Sequence, residues 1–299
     1  VYGLYLLTGF AGLISIGHAA FVGVGAYTLA AFARVLGGDH VLLIYCWPLM
    51  IVVAGLVGAV IGGIVGLPSL RLKHLYLVIA TLSFQMIFQW FINFSKFFDQ
   101  GQTIAIGRVF WFTGKVGRKQ HYFFWYYVIL VIVVILGFAV RNLLRTRYGR
   151  SLVAVRDNDR AADAMGMHPG FTKVYAFALS GFFAGVAGAL HAYLWRGVGF
   201  ESFTLHHSIS YLAMAIVGGL GTLVGSIVGP AAILMLELQV EHFAEWAGHF
   251  FKAIGDVATA FRPLSFGLVI VLFLMFEPRG IANWWRILRS YFKLWPFRY

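Results

Sequence analysis

Apolar runs of roughly 20 residues recur along this chain, and they constrain its fold more than any other feature. A helical run of that length matches the thickness of a bilayer core. Inside a bilayer every backbone polar group needs a partner within the protein, so the choice lies between helices and a closed barrel. The runs are continuous rather than alternating, which excludes the barrel. The sequence therefore predicts an all-α fold, a polytopic transmembrane helical bundle.

The composition agrees with this prediction. The 299 residues are 61% apolar and 11% charged, whereas soluble domains carry about 25% charged residues. The net charge of +12 invites a nucleic-acid interpretation, but the basic residues cluster at the ends of apolar runs, as membrane topology requires. We therefore expect a lipid bilayer, and no nucleic acid, around this chain. The single cysteine, Cys46, leaves no intrachain disulfide, and no metal site is predicted.

We predict about eight apolar segments within one transmembrane domain that spans residues 1–299, with about 20 residues as the length of a full span. They are residues 1–16, 19–36, 41–67, 75–94, 122–140, 174–194, 208–240 and 264–276. The segment 208–240 is long enough for two short spans or one re-entrant hairpin. The chain opens inside an apolar run at Val1, so we expect an upstream piece in the native protein.

Two of these segments are interrupted by glycine and polar residues. Gly-interrupted apolar segments in two halves of a membrane protein point to a transport pathway. The alternative for any single glycine is close packing between helices. The two clusters together favour a pathway, and its predicted residues are Ser15, Gly17 and His18 in the first segment and Gly218, Gly219, Gly221 and Thr222 in the second.

A polar seam crosses the segment 75–94. Gln85, Gln89 and Asn93 are spaced at i, i+4 and i+8, which places them on one helical face. Polar side chains at membrane depth need partners, so these residues either line the pathway or pin a neighbouring helix. We include Gln85 and Gln89 among the predicted pathway residues. On a different segment, Gly55, Gly58, Gly62 and Gly66 share a face that a second helix backbone can approach closely.

The polar stretch 148–170 is the longest interval between apolar runs that still has the pattern of an ordered helix. Asp157, Asn158 and Asp159 offer N-cap oxygens, and Gly166 suits the position after a helix. Bundle connections usually contain about 2–8 residues, so this one is long. The alternatives are a solvated connector and a docking helix for a partner; we predict the second, within a coupling loop at about 145–173.

The basic-loop rule places this coupling loop and the basic tail after residue 276 on the cytoplasmic side. Counting the spans keeps both on one side with the loop that contains Arg71 and Lys73. The same count places the loop 96–121 outside, although that loop carries five basic residues. We keep this assignment because three other loops agree with it.

Several blocks of the sequence resemble a known family of ABC importer permeases, the LivM-like permeases for branched-chain (hydrophobic) amino acids. The blocks cover nearly the whole chain in order. They are GRSL at 149–152, AVRDN at 154–158, the Ala161–Ala162 pair, MGM at 165–167, GLISIGHAAFVGVGAY at 12–27, GLPSLRL at 66–72, residues 177–193, VGGLGT at 217–222 and FEPRG at 276–280. Two departures stand at Asp99–Ile104, where the family usually has a Gly-Gly-rich stretch, and at Asp159–Arg160 before the alanine pair.

The resemblance implies a multi-pass permease of the bacterial inner (plasma) membrane, with a cytoplasmic coupling helix. It implies as partners two ABC ATPase subunits, a second homologous permease and a periplasmic substrate-binding protein. The residues expected to couple to the ATPase are Gly149, Arg150, Arg156, Asp157, Asn158, Asp159, Arg160, Ala161, Ala162 and Gly166. The three arginines of this set are suited to pair with partner carboxylates.

The expected function is transport rather than enzymatic catalysis, since no nucleophile–base motif appears and no catalytic residue is predicted. The sequence contains no G-x-x-x-x-G-K-[ST] segment, so we expect no cofactor on this chain and assign ATP and Mg²⁺ to the partner ATPases. Alternative substrates within the family are urea or amides and aromatic acids. The alternative of another class is a self-contained secondary transporter, which would need ionisable residues inside the membrane for ion coupling.

Overall fold

The computed structural model of the chain describes residues 1–37, 43, 45–72, 75–107 and 118–250, and the positions 267, 268, 271, 275, 280–282, 290 and 291. The described residues group into two compact units. The larger unit is Tyr2–Ser210, and the smaller contains Val1 and Tyr211–Tyr299. The single domain expected from the sequence stays a prediction.

The described elements are almost all helical, so the all-α prediction is confirmed. The helices are α1 (Tyr2–Leu4, continuing as a π-helix over Tyr5–Phe10), α2 (His18–Leu36), α3 (Trp47–Gly66), α4 (Leu75–Phe94), α5 (Arg118–Arg145), α6 (Arg147–Asp157), α7 (Asp159–Ala164), α8 (Pro169–Trp195), α9 (Leu205–Gly218) and α10 (Gly225–Phe250). Short 3₁₀ turns follow α3, α4 and α8, at Leu67–Leu70, Lys96–Gly101 and Phe200–Phe203. The chain is a membrane protein, since α2, α3, α4, α5 and α8 are each long and apolar enough to cross a bilayer.

Helix α8 lies at the centre of the larger unit, and small residues let α3 approach it closely. The four glycines predicted to share one face of α3 are all buried, and all face α8, which confirms the prediction. A Cβ added to Gly58 would collide with the carbonyl oxygen of Gly181, and one added to Gly62 would collide with that of Phe177. Close backbone contact of this kind is the usual way in which membrane helices associate, because lipid supplies no hydrophobic drive between them.

Helix α2 also packs against α8 through close backbone contact at glycines. A Cβ on Gly188 would collide with the carbonyl oxygen of Val22, and it would lie 2.7 Å from the backbone nitrogen of Ala26. Gly25 in turn touches the backbone of Gly185. As a result α2, α3 and α8 form a tight three-helix core, whereas α5 exposes most of its apolar surface.

The two ends of the larger unit carry different loops. At one end two short strands, β1 (Ile104–Ala105) and β2 (Gly197–Val198), pair antiparallel, and Arg34 forms an ion pair with Asp99. At the other end Leu70 lies next to Gly170, beside the coupling loop. The part of the loop 96–121 that the structure describes thus lies opposite the coupling loop, which agrees with the span count and not with its own basic charge.

The structure changes some predicted boundaries. Residues 208–240 form two helices, α9 and α10, joined by a turn at 219–224. The connection between α5 and α8 is shorter than predicted, residues 146–168, and it contains two helices rather than one. The last predicted segment, 264–276, falls mostly outside the described residues.

Candidate functional site

The first predicted break, around Ser15 to His18, is present. Residues 11–17 are not helical, and they separate the π-helix from α2. Gly17 lies against α4 so closely that a Cβ would collide with the carbonyl oxygen of Thr81. Single π-helical turns and broken helices often occur at functional sites in membrane proteins.

The first turn of α2 is capped by side chains from other helices. The backbone N–H of Ala20 donates to Gln85 Oε1 at 2.8 Å, and that of Ala19 donates to Ser208 Oγ at 2.8 Å. The N–H of Ile16 donates to Thr81 Oγ1 at 3.2 Å. Helix starts leave N–H groups without intrahelical partners, and inside a bilayer no water is present to satisfy them. These three side chains supply the missing acceptors.

Gln85 is fully buried, and its amide joins three parts of the larger unit. Besides accepting from Ala20, Oε1 accepts from Ser208 Oγ at 3.0 Å, and Nε2 donates to the carbonyl oxygen of Phe203 at 2.7 Å. Gln89 is half-buried and reaches the same carbonyl at 3.5 Å. The sequence left two roles open for the polar seam, pinning a neighbouring helix or lining a pathway. Gln85 has the first role, because it holds α2, α4 and the start of α9 together. Whether it also lines a pathway stays a prediction.

Two buried polar atoms of this first cluster have no hydrogen-bond partner among the described residues. Ser15 and His18 are buried, and neither Ser15 Oγ nor His18 Nδ1 hydrogen-bonds to any described residue. Buried polar groups in native proteins are nearly always paired, so an unpaired one invites a functional explanation. The structure thus brings Ser15, Gly17, His18 and Gln85 together.

The other four predicted pathway residues lie in the smaller unit and build a turn. Gly219 and Gly221 have φ values of 98° and 84°, which side chains other than glycine rarely adopt. Thr222 Oγ1 donates to the carbonyl oxygen of Gly219 at 3.1 Å and accepts from the N–H of Gly225 at 3.2 Å. Gly280 packs directly on the backbone of Gly219. Within this unit the cluster has a clear structural function, the reversal between α9 and α10.

The coupling loop contains two short helices that meet at Asn158. Asn158 ends α6 and caps α7, because its Oδ1 accepts from the N–H groups of Arg160 and Ala161 at 3.0 and 3.2 Å. Of the three candidate N-cap residues in the sequence, Asn158 is therefore the one that caps α7. Gly166 has a φ of 80° and ends the loop's helical part as predicted. Gly149 packs on the backbone of Leu144.

The three arginines of the loop differ in what they contact. Arg150 Nη1 donates to the carbonyl oxygen of Arg145, at the end of α5. Arg156 Nη1 donates to the carbonyl oxygen of Gly9 at 3.0 Å, and its Nε and Nη2 contact Asp157 Oδ1 at 3.0 and 2.9 Å. Arg160 is exposed. Arg160 is therefore the best placed of the three to meet a partner carboxylate.

The predicted alanine pair divides between surface and interior. Ala161 is exposed, whereas Ala162 is 0% exposed. Lys173 of α8 forms an ion pair with Asp159, and the lysine is nearly buried. This pair ties α7 to α8, so α7 is held against the bundle while Ala161 faces outward.

Sequence reasoning missed the aromatic part of this surface. Tyr148, Met165 and Phe171 are 50%, 67% and 65% exposed around the two short helices, and the rings of Phe171 and Tyr175 stack at 6.3 Å. Exposed apolar groups rimmed by charges are typical of protein interaction sites. All three residues lie within the predicted coupling loop at about 145–173, but the sequence analysis assigned none of them a role in binding a partner.

It also missed a cleft of about 740 Å³ at the opposite end of the larger unit, between the strand loops. Polar Gln102, Thr103 and Ser202 and the larger Trp195 line it. Asp99, Gln100 and Arg196, at or near this cleft, are the described non-glycine residues with positive φ. Among the described residues, no three His, Cys, Asp or Glu side chains gather as a metal site would require.

Comparison with known proteins decides the family. The family model described as "Branched-chain amino acid transport system / permease component" matches residues 1–276. The chain belongs to this family. Its matched region includes both Gly-broken segments and the coupling loop, so the resemblance drawn from the motifs is confirmed.

Individual relatives agree. The high-affinity branched-chain amino acid transport system permease protein LivM of Salmonella typhimurium is 29% identical over 93% of this chain, and that of Escherichia coli is 28% identical over 93%. A probable branched-chain amino acid transport permease protein LivH of Methanocaldococcus jannaschii is 29% identical over 47% of the chain and 42% of its own length. The chain spans 66% of the length of the two LivM relatives. No solved structure matches the chain significantly.

Proposed function

We propose that the chain is the permease subunit of an ATP-binding-cassette importer that carries branched-chain or other hydrophobic amino acids across the bacterial inner membrane. The observation that carries the proposal is the family match over residues 1–276. The names of the LivM relatives favour the same substrate class. Selectivity in such a system lies largely in the binding protein, so urea, amides and aromatic acids are the competing substrates to test.

The geometry of the coupling loop supports the proposal that a separate ATPase supplies the energy for transport. Two short helices, capped at Asn158 and tied to the bundle through Lys173 and Asp159, present an exposed alanine and exposed aromatic groups. A partner ATPase that binds these helices would move α5 and α8 as rigid bodies. Rigid-body movement of this kind would change the side of the membrane to which the transport pathway opens. We assign ATP and Mg²⁺ to two partner ATPases, and we place a second permease and a periplasmic binding protein in the same assembly.

The buried residues disfavour the secondary transporter. Ion-coupled carriers need ionisable groups at membrane depth, most often carboxylates. No Asp or Glu is buried among the residues that the structure describes, and the buried lysine, Lys173, lies at the coupling end. The other buried polar groups that are described are hydroxyls, one amide and the imidazoles of His18 and His121, and no buried carboxylate accompanies these imidazoles as a partner in ion coupling.

Reconstitution tests the proposal directly. The permease is coexpressed with ATPases and a second permease of the same transport family from the same genome, purified, and placed in proteoliposomes with the binding protein. We expect ATP-dependent uptake of leucine and none of urea or benzoate. Uptake of urea or benzoate in place of leucine would contradict the substrate class. Uptake without nucleotide and without ATPases would contradict the importer itself.

The docking part of the proposal predicts a large effect at Ala161. Ala161→Glu places a charged side chain on the surface that the partner ATPase must approach. We therefore expect ATP-driven uptake to fall by at least about tenfold, which corresponds to a loss of about 1.4 kcal/mol in docking free energy. The isolated subunit keeps its thermal midpoint, because Ala161 is exposed. Ala162 is left unchanged since it is buried and its substitution would disturb packing.

Ala105→Glu is the matched control for this experiment, because Ala105 is exposed on β1 at the opposite end of the unit. The measurement is uptake together with copurification of the ATPases. If Ala161→Glu still copurified with the ATPases and transported as well as Ala105→Glu, α7 would not be the docking element.

A further inference from the structure

Arg156, at the end of α6, is exposed, and its side chain also contacts a segment that is distant in sequence, residues 9–12. Its guanidinium makes one hydrogen bond, through Nη1, to the carbonyl oxygen of Gly9 at 3.0 Å. Its other side contacts Asp157, which adjoins it in sequence. A guanidinium is a planar fork with fixed donor directions, so the carboxylate of Asp157 on one edge orients the opposite edge toward Gly9.

The aliphatic stem of Arg156 is held from the other side by Gly12. A Cβ added to Gly12 would lie 2.6 Å from Arg156 Cγ and 3.4 Å from its Cβ, so any side chain there requires the Arg156 stem to move. Gly12 also has a φ of 69°, which favours glycine. The segment from Gly9 to Gly12 is therefore in contact with the coupling loop both through a hydrogen bond and through close packing.

This segment leads directly to the first break. After Gly12 the chain continues without helix to Gly17, and α2 then begins with its N–H groups held by Gln85 and Ser208. The unpaired polar atoms of Ser15 and His18 lie in the same short stretch. Only a few non-helical residues thus separate the Arg156 contact from the start of α2.

We propose that Arg156 is a positioning residue that transmits the movement of the coupling helices to the broken segment before α2. The inference rests on the proposed function, and it assigns Arg156 an internal role rather than a contact with an ATPase carboxylate. When an ATPase moves α6 and α7, the guanidinium pulls the Gly9 carbonyl with them. The break at residues 11–17 can follow this displacement because no continuous ladder of helical hydrogen bonds holds it in place.

The test compares transport with nucleotide consumption in the reconstituted complex, using leucine as substrate. We expect Arg156→Ala to lower the leucine imported per ATP hydrolysed about tenfold, equivalent to about 1.4 kcal/mol of coupling, while ATP hydrolysis itself stays near its original rate. Arg156→Lys keeps one cationic donor for the Gly9 carbonyl and restores part of the ratio. Arg141→Ala removes an exposed arginine of α5 and leaves the ratio unchanged.

A second pair of variants approaches the contact from the other side. Gly12→Ala forces the Arg156 stem away and is expected to lower the ratio as well. Gly37→Ala is its control, because Gly37 also has a positive φ, 94°, but no atom lies within 4 Å of the added Cβ. Both variants place alanine at a positive φ, but only Gly12→Ala disturbs Arg156.

An unchanged ratio in Arg156→Ala would overturn the inference. So would an equal loss of hydrolysis and uptake that Arg156→Lys fails to relieve, since that result describes a merely structural arginine. Absence of ATP-dependent uptake in the unsubstituted complex would instead refute the proposed function, so the two failures are distinguishable.

Discussion

Gly62→Ala is expected to destabilise the protein by about 3 kcal/mol, more than most single substitutions of one methyl group. The added Cβ would collide with the carbonyl oxygen of Phe177 and would lie 3.2 Å from the Cα of Gly181. Both are backbone atoms of α8, and neither can rotate away as a side chain would. The two helices must separate, and the contacts along the whole glycine face weaken together.

The next residue along α3 supplies the control. A Cβ on Gly63 would meet a single atom, the Cβ of Ala178 at 3.9 Å, which is ordinary contact. Gly63→Ala is therefore expected to be neutral or to stabilise by up to about 1 kcal/mol through helix propensity. Thermal unfolding of the two purified variants in detergent compares them. Equal midpoints would show that the α3–α8 seam does not limit stability.

This glycine face could be predicted because the information is local. Helical periodicity alone decides that Gly55, Gly58, Gly62 and Gly66 share a side, and their small size alone decides that a backbone can approach. The span 75–94 and the break before α2 were predictable for similar reasons, since both follow from runs of neighbouring residues. The cap at Asn158 was narrowed to three adjacent candidates, and local backbone geometry selected one.

Contacts between distant residues were beyond the sequence. Arg156 was expected to face a partner, and this stays a prediction because the residue is exposed; what the sequence did not show is its hydrogen bond to the carbonyl of Gly9, which lies 147 residues earlier. Nothing in the residues around Arg156 encodes that direction, because it depends on how α1 packs beside α6. The division of Ala161 and Ala162 between surface and interior likewise depends on the ion pair of Asp159 with α8. The cleft between the strand loops depends on a pairing between residues 104–105 and 197–198.

The polar seam of α4 shows both what local sequence predicts and what it cannot, and it gives the second prediction of a large effect. Spacing placed Gln85 and Gln89 on one face, but it could not tell which of them is indispensable. Gln85→Leu removes the 2.8 Å acceptor of the Ala20 N–H, which keeps only the Gly17 carbonyl at 3.3 Å. It also removes the 2.7 Å donor to the Phe203 carbonyl, which keeps only Gln89 at 3.5 Å. A buried group whose partner is lost costs about 1–3 kcal/mol, and the long remaining contacts recover little of it, so we expect a loss of about 3 kcal/mol in stability and faster amide exchange at Ala20.

Gln89→Leu is the matched control, because Gln89 is the same residue type one turn along and its contact with Phe203 is long, at 3.5 Å. We expect it to change the stability by less than about 0.5 kcal/mol, as is usual where no well-formed interaction is lost. Equal losses in the two variants would contradict the pinning function of Gln85, because of these two glutamines only Gln85 accepts from the first turn of α2 within the described structure.

Transport by the folded fraction of each variant then separates pinning from a pathway role. If Gln85 acts by holding the start of α2, Gln85→Leu lowers the amount of folded complex, and the KM of that complex for substrate-loaded binding protein and its leucine uptake per ATP stay unchanged. If the amide instead contacts the solute during passage, uptake per folded complex falls even at temperatures well below the unfolding midpoint. The buried position of Gln85, with both amide atoms already engaged, favours the first result, because a side chain cannot offer a passing solute hydrogen bonds that it has committed to the backbone.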